Sequence, residues 1–195
     1  MPPLTRLNLN DVLQLINQKK YFVLHAPRQT GKTSFLLALM DYLNQAGDYH
    51  VLYVNVEMAQ TAREDVYHGI QTILSSIAQM AMDYLDDSFI EDMWGDTLEK
   101  SGSNSSLNRV LTMWSKHSQK PIILFIDEID SLVGDTLISV LRQLRAGYTQ
   151  RPTHFPQSIC VWEVLTNPKL KPCIINIPLK QGKFLKTVCL MSFGI

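Results

Sequence analysis

The chain has 195 residues, of which 46% are hydrophobic, and its 18 Lys and Arg balance 18 Asp and Glu, so the formal net charge is zero. A chain of this length can bury one substantial core, and the composition is ordinary for a globular protein. No stretch approaches the roughly 20 consecutive apolar residues of a membrane span, and the N-terminus lacks the basic-then-apolar arrangement of a signal peptide. We therefore expect a cytoplasmic protein without a membrane span.

The first elements in chain order are a helix, a strand and a second helix. Residues 8–19 predict a helix with capping side chains at its start, and the apolar run Tyr21–His25 predicts a buried strand. The octapeptide Ala26–Thr33 follows, and residues 32–45 predict a helix that Gly47 ends. A strand, a tight loop and a helix in this order form the context that a phosphate-binding P-loop requires.

The octapeptide carries the residue types that bind the phosphates of a nucleotide. Backbone N–H groups of such a loop point inward at a helix N-terminus, where the helix dipole favours negative charge. We predict that Lys32 reaches the β- and γ-phosphates as a catalytic residue, that Thr33 ligates Mg²⁺, and that Gly31 lets the chain pass close to the phosphates. The residues expected to contact nucleotide are Ala26, Pro27, Arg28, Gln29, Thr30, Gly31, Lys32, Thr33 and Ser34. The alternative is a Gly-containing turn with a solvated lysine.

The central part of the chain predicts helices on either side of a linker. The predicted elements are a buried strand over 50–56 and helices over 61–84 and 107–117. Met80 and Met82 are expected to fill the core instead of forming a recognition surface. Residues 83–106 are acidic and then rich in Ser, Gly and Asn, which predicts a surface linker.

A second motif follows the apolar run Pro121–Ile126, which predicts a strand buried on both faces of a parallel sheet. The strand ends in Asp127 and Glu128, at the position where a P-loop sheet places the carboxylate that supports Mg²⁺. We assign Asp127 to the metal and Glu128 to polarising an attacking water as the catalytic base. The alternative is an acidic turn at the end of a strand.

The two motifs resemble Walker A and Walker B of the P-loop ATPases that carry an added catalytic Glu, the AAA-like group. More narrowly, residues 24–33 together with Leu141–Tyr148 resemble a family of bacterial AAA-like ATP-binding proteins, over about residues 10–159. Ala26 stands where a glycine is usual, and relatives in this group tolerate it. The resemblance implies ATP and Mg²⁺ as cofactors and places the first helix against the adenine side of the pocket.

The same resemblance bears on the helix predicted over residues 135–146, which carries Arg142 and Arg145. One of the two would serve as an arginine finger toward a neighbouring subunit. A solvated helix face or a salt bridge is the favoured alternative. The implied partners are therefore the nucleotide and either a second copy of the chain or an effector protein.

The sequence predicts an α/β fold, a P-loop NTPase with a mostly parallel sheet, helices on both faces and no C-terminal lid. The strand Gln157–Glu163 is expected between the two Walker strands, and residues 173–177 form a further candidate strand. Residues 1–160 would form the ATPase core and residues 161–195 an atypical basic tail. The charge of the chain changes near this boundary: the first 150 residues hold 12 Lys and Arg against 17 Asp and Glu, whereas the last 45 residues hold six Lys and Arg against one Glu. We hypothesise that a frameshift or a truncated gene model replaced the natural continuation. The three cysteines (Cys160, Cys173 and Cys189) match no metal or redox spacing.

Three functions fit these observations. The favoured one is an ATP-binding, Mg²⁺-dependent ATP-hydrolysing domain that acts as a nucleotide-driven switch. The alternatives are a nucleotide-binding regulatory module with little or no turnover, and a small-molecule kinase. The kinase is disfavoured because Glu128, directly after Asp127, favours water as the phosphate acceptor. A nucleic-acid motor is weaker, because the first 150 residues are net acidic and the basic tail lacks interleaved aromatic residues.

Overall fold

The computed structural model describes residues 3–5, 9–25, 31–163, 173–178 and 184–189. Its helices are α1 (Leu9–Asn17), α2 (Lys32–Ala46), α3 (Val66–Leu85), α4 (Phe89–Ser101), α5 (Ser103–His117) and α6 (Gly134–Ala146). Its strands are β1 (Phe22–His25), β2 (His50–Asn55), β3 (Ile122–Asp127), β4 (Ser158–Glu163), β5 (Cys173–Pro178) and β6 (Phe184–Cys189). Short 3-10 helices cover Pro3–Thr5, Glu57–Ala62, Ile129–Ser131 and Tyr148–Gln150.

Four of the strands form one parallel sheet in the order β1-β4-β3-β2. The strand predicted between the two Walker strands is therefore confirmed as β4, which pairs with β1 on one side and β3 on the other. Strands β5 and β6 form a separate antiparallel pair, and β5 contains the candidate strand of residues 173–177. The different origin of the tail stays a prediction.

Helices cover both faces of the parallel sheet, as expected for this fold class. Alternate residues of the strands point to opposite faces, so each strand contributes to two cores. One face packs against α1 and α2 and includes Phe22, Val51 and Phe125. The other packs against α3, α4, α5 and α6 and includes Val23 and Leu124. The carboxyl ends of four parallel strands consequently meet at one edge, where α/β proteins bind ligands.

The predicted linker over residues 83–106 is wrong, because most of this segment is helical. Helix α4 covers Phe89–Ser101, and α5 begins at Ser103 after a break at Gly102, whose φ is +71°. Ile90 and Leu98 are buried, and Met93 and Trp94 pack against the same core. These four positions share one helix face, but the acidic residues between them obscured the periodicity.

The helix predicted from Thr61 begins later, and one of its methionines is not in the core. Residues 57–62 form a 3-10 helix, and α3 starts at Val66, where Asp65 accepts a hydrogen bond from the His68 backbone N–H at 3.1 Å. Met80 packs against the core as expected. The expectation for Met82 is wrong, since its side chain is 43% exposed on the outer face of α3.

Helix α4 supplies a stability prediction that separates a helix from a linker. We expect Gly95→Ala to stabilise the protein by about 0.5–1 kcal/mol, because alanine loses less backbone entropy in a helix interior. A Cβ at Gly95 would meet no atom within 4 Å, so no clash offsets this gain. Gly47→Ala is the control: it also has open space but a φ of +84°, and it should destabilise. Urea unfolding of both variants measures the two effects, and a Gly95→Ala variant that is less stable than the parent would contradict a helical α4.

Candidate nucleotide-binding site

Helix α2, the helix predicted to follow the phosphate-binding loop, begins at the carboxyl edge of the sheet. Gly31 has a φ of +76°, a conformation that favours glycine, and Lys32 is the first residue of α2. Of the predicted nucleotide-binding residues, Ala26, Pro27, Arg28, Gln29 and Thr30 lie outside the described residues. Thr33 and Ser34 follow in the first turn of α2, and both are exposed.

One hydrogen bond joins the two motifs that the sequence singled out. The Thr33 hydroxyl donates to Oδ2 of Asp127 at 2.9 Å, across a separation of 94 residues. Thr33 lies in the first turn of α2 and Asp127 is the last residue of β3. The structure thus brings together the two residues that we predicted to serve the metal.

Asp127 is completely buried, and three donors surround its carboxylate. Oδ2 accepts hydrogen bonds from Thr33 and from the Tyr53 hydroxyl, each at 2.9 Å, and Oδ1 accepts one from the Glu128 backbone N–H at 3.0 Å. A buried carboxylate is tolerated only when such partners compensate for lost hydration. The site therefore holds this acid in one orientation.

Glu128 follows Asp127 in a left-handed conformation, with φ at +57°, and is partly exposed. Burial raises the pKa of its carboxyl group, and the positive charge of Lys32 lowers it. The negative charges of Asp127, Asp130 and Glu57 raise this pKa further, so that the net shift is upward. The predicted catalytic base and the predicted phosphate-binding lysine thus lie within electrostatic reach of each other. Lys32 itself is only 9% exposed.

Tyr53 is the site residue that the sequence reasoning missed. It lies on β2, in register with Phe125, and Asn55 at the end of the same strand is in register with Asp127. Burial, followed by the charge of Asp127 and the hydrogen bond to it, raises the pKa of the Tyr53 hydroxyl. The apolar run over residues 50–56 could have indicated this contact, because it predicts a buried strand that contains a tyrosine. A buried tyrosine usually needs a hydrogen-bond partner for its hydroxyl, and neighbouring parallel strands end at one edge of a sheet.

The donor set fits magnesium. The hydrogen atom of the Thr33 hydroxyl is directed at Asp127, which leaves the lone pairs of the threonine oxygen available to a cation. Hydroxyl and carboxylate oxygens are the hard ligands that Mg²⁺ prefers, and it is usually held by one or two protein groups together with phosphates and water. Among the described residues, no group of three or more His, Cys, Asp and Glu side chains could hold a metal ion.

A comparison with protein families matches residues 7–155 to the AAA-like domain. The chain belongs to this family. The match contains α1 to α6 and β1 to β3, and therefore both motifs of the site, and it ends before β4. Membership of the AAA-like family supports nucleotide binding by an ATPase-like domain. A comparison with curated proteins found no match.

Two other observations concern the rest of this AAA-like chain. Arg142 and Arg145 are exposed on α6, and the arginine-finger role of either one stays a prediction. Within the described ranges, no helix has the length and apolar character needed to cross a membrane.

Proposed function

We propose that this AAA-like domain binds ATP together with Mg²⁺ and hydrolyses it to ADP and phosphate. Lys32 would hold the β- and γ-phosphates, Thr33 would ligate Mg²⁺, and Asp127 would support the metal from β3. The observation that carries the proposal is the 2.9 Å hydrogen bond between Thr33 and Asp127. It links a P-loop helix to the acidic end of a buried strand, which is the arrangement that phosphoryl-transfer sites of this class use. The bound metal ion would neutralise charge on the phosphates.

Glu128 is the proposed general base for the attacking water. Its pKa is raised above the ordinary glutamate value, chiefly by burial, which makes the carboxylate a better proton acceptor. The positive charge of Lys32 lowers the pKa of Glu128, and a phosphate bound to Lys32 would weaken this lowering. The bound nucleotide would therefore strengthen the base that activates the attacking water.

The described contacts also suggest how the site could act as a switch. The 3-10 helix Ile129–Ser131 directly follows Glu128 and leads into α6. The N-terminus of α6 is held by the segment just before α3, where the Asp135 backbone N–H donates to Glu64 Oε2 at 3.0 Å. A change at Glu128 on hydrolysis would thus be transmitted to α6, which carries Arg142 and Arg145.

Two alternatives remain from the sequence. A regulatory module would bind ATP without turnover, and a small-molecule kinase would transfer the γ-phosphate to another acceptor.

We also propose that the nucleotide-binding core ends near residue 160 and that the basic tail has a different origin. The change in charge along the chain supports this proposal.

Release of inorganic phosphate from ATP by the purified chain tests the proposal. We expect slow release that requires Mg²⁺ and stops in EDTA. Binding of ATP without any phosphate release would favour the regulatory module. The same assay is run with and without small-molecule acceptors. Transfer of the γ-phosphate to an acceptor when one is present, with release of free phosphate only when none is present, would favour the kinase.

A further inference from the structure

Tyr53 lies outside both Walker motifs and yet contacts the residue at the centre of the site. Its side chain is 7% exposed and packs in the core between the sheet and α2. Its hydroxyl donates to Oδ2 of Asp127 at 2.9 Å. The same oxygen accepts the hydrogen bond from Thr33, also at 2.9 Å.

The distribution of donors defines which carboxylate oxygen remains available. A carboxylate oxygen has two lone pairs in the carboxylate plane, and both on Oδ2 are occupied by Tyr53 and Thr33. Oδ1 accepts the Glu128 backbone N–H at 3.0 Å and keeps one lone pair. Oδ1 is therefore the Asp127 oxygen that can face a metal ion or a water bound to it.

Of the two side-chain donors to Asp127, Tyr53 is the one that lies outside the segment predicted to contact nucleotide. Thr33 belongs to the P-loop helix, and its predicted role as a metal ligand ties its orientation to the bound nucleotide. The Tyr53 ring is held by the core packing of β2. It would orient Asp127 both before and after nucleotide binds, because its hydrogen bond to Asp127 and its packing in the core involve no group of the nucleotide.

We propose that Tyr53 is a positioning residue for Mg²⁺: its hydroxyl fixes the rotation of the Asp127 carboxylate so that Oδ1 faces the metal site. This inference rests on the proposed function, namely the binding of ATP with Mg²⁺. Groups that hydrogen-bond a metal-associated side chain typically change metal affinity by 10–100-fold when they are removed. Tyr53 acts through Asp127, so the inference concerns the metal and predicts little effect on the nucleotide alone.

The test is the Mg²⁺ dependence of ATP binding by Tyr53→Phe, which removes the hydroxyl and keeps the ring. Thermal unfolding is followed at a fixed ATP concentration while Mg²⁺ is titrated, and again in EDTA. We expect the Mg²⁺ concentration for half-maximal stabilisation to rise about tenfold, with ATP binding in EDTA unchanged. Tyr21→Phe is the matched control, because Tyr21 is also buried and its hydroxyl donates to the Pro156 carbonyl oxygen, at 3.3 Å. It should leave the Mg²⁺ dependence unchanged.

A second measurement uses the parent chain and so does not depend on the folding of a variant. With tyrosines labelled at Cζ with carbon-13, the Tyr53 resonance should move when Mg²⁺ is added to the ATP complex, whereas that of Tyr21 should not. An unmoved Tyr53 resonance, or a parental Mg²⁺ dependence in Tyr53→Phe, would overturn the inference and leave the proposed function intact. A parent chain that ATP does not stabilise, with or without Mg²⁺, would overturn the proposed function and the inference with it.

Discussion

Lys32→Ala is expected to abolish most of the stabilisation that Mg²⁺-ATP gives to the chain. A ligand at about 100 times its dissociation constant stabilises the native state by roughly 2.7 kcal/mol. For a chain of this length that corresponds to an increase in Tm of about 5–10 °C. The alanine variant should show little or no increase at the same nucleotide concentration, because it lacks the positive charge at the start of α2 that would bind the phosphates.

The comparison is made within each variant, with and without nucleotide. Lys32 is buried near Glu128, so its removal can change the stability of the nucleotide-free protein as well. Lys116→Ala serves as the control, since Lys116 is an exposed lysine in the last turn of α5. It should retain the full increase in Tm. An equal increase in Lys32→Ala and Lys116→Ala would contradict phosphate binding by Lys32.

Glu128→Gln has the second large expected effect, and it separates binding from hydrolysis. Glutamine keeps the shape of the side chain but cannot accept the proton of the attacking water. We expect phosphate release to fall by about 10²–10⁴-fold, the range that general base catalysis contributes, while the Tm increase with Mg²⁺-ATP is retained. Phosphate release at the parental rate would rule out Glu128 as the base. Glu57→Gln would then be the next variant to measure, because Glu57 follows β2 and its charge acts on Glu128.

The same substitution has a predicted effect on stability that depends on pH. The pKa of Glu128 is raised in the folded state, so the folded protein binds this proton more tightly than the unfolded chain. Stability therefore falls as the pH rises from the unfolded pKa through the folded one. Glu128→Gln removes this loss of stability, since glutamine does not ionise, and the variant should be more stable than the parent at neutral pH. The difference should disappear at acid pH, where Glu128 is protonated in both states, and urea unfolding across pH measures it.

Local patterns were sufficient to single out Thr33 and Asp127, which the structure joins by a hydrogen bond. The octapeptide ending in Thr33 and the acidic pair after Ile126 each occupy a few consecutive residues, and the context of strand and helix could be inferred beside them. The meeting of Thr33 with Asp127 followed from the general rule that parallel strands end at one edge. The position of β4 between the Walker strands followed from the resemblance.

Contacts between distant segments could not be predicted in the same way. Tyr53 contacts Asp127 because β2 and β3 are neighbours in a particular register, which no short pattern specifies. Arg151 is a second example: its guanidinium lies 3.5 Å from the ring centroid of Tyr148 and 4.8 Å from that of Tyr21. Helix α4 differs from these two cases: its few apolar residues have helical spacing, but the acidic residues among them give the segment the composition of a linker.

A calorimetric titration of the nucleotide-free chain with ATP, once with Mg²⁺ and once in EDTA, measures directly whether this domain binds the nucleotide. We expect one saturable site per chain, with tighter binding when Mg²⁺ is present, because Thr33 and Asp127 would then contribute through the metal. A folded chain that shows no binding heat under either condition, and no Tm increase with Mg²⁺-ATP, would contradict the proposal that this AAA-like domain binds ATP.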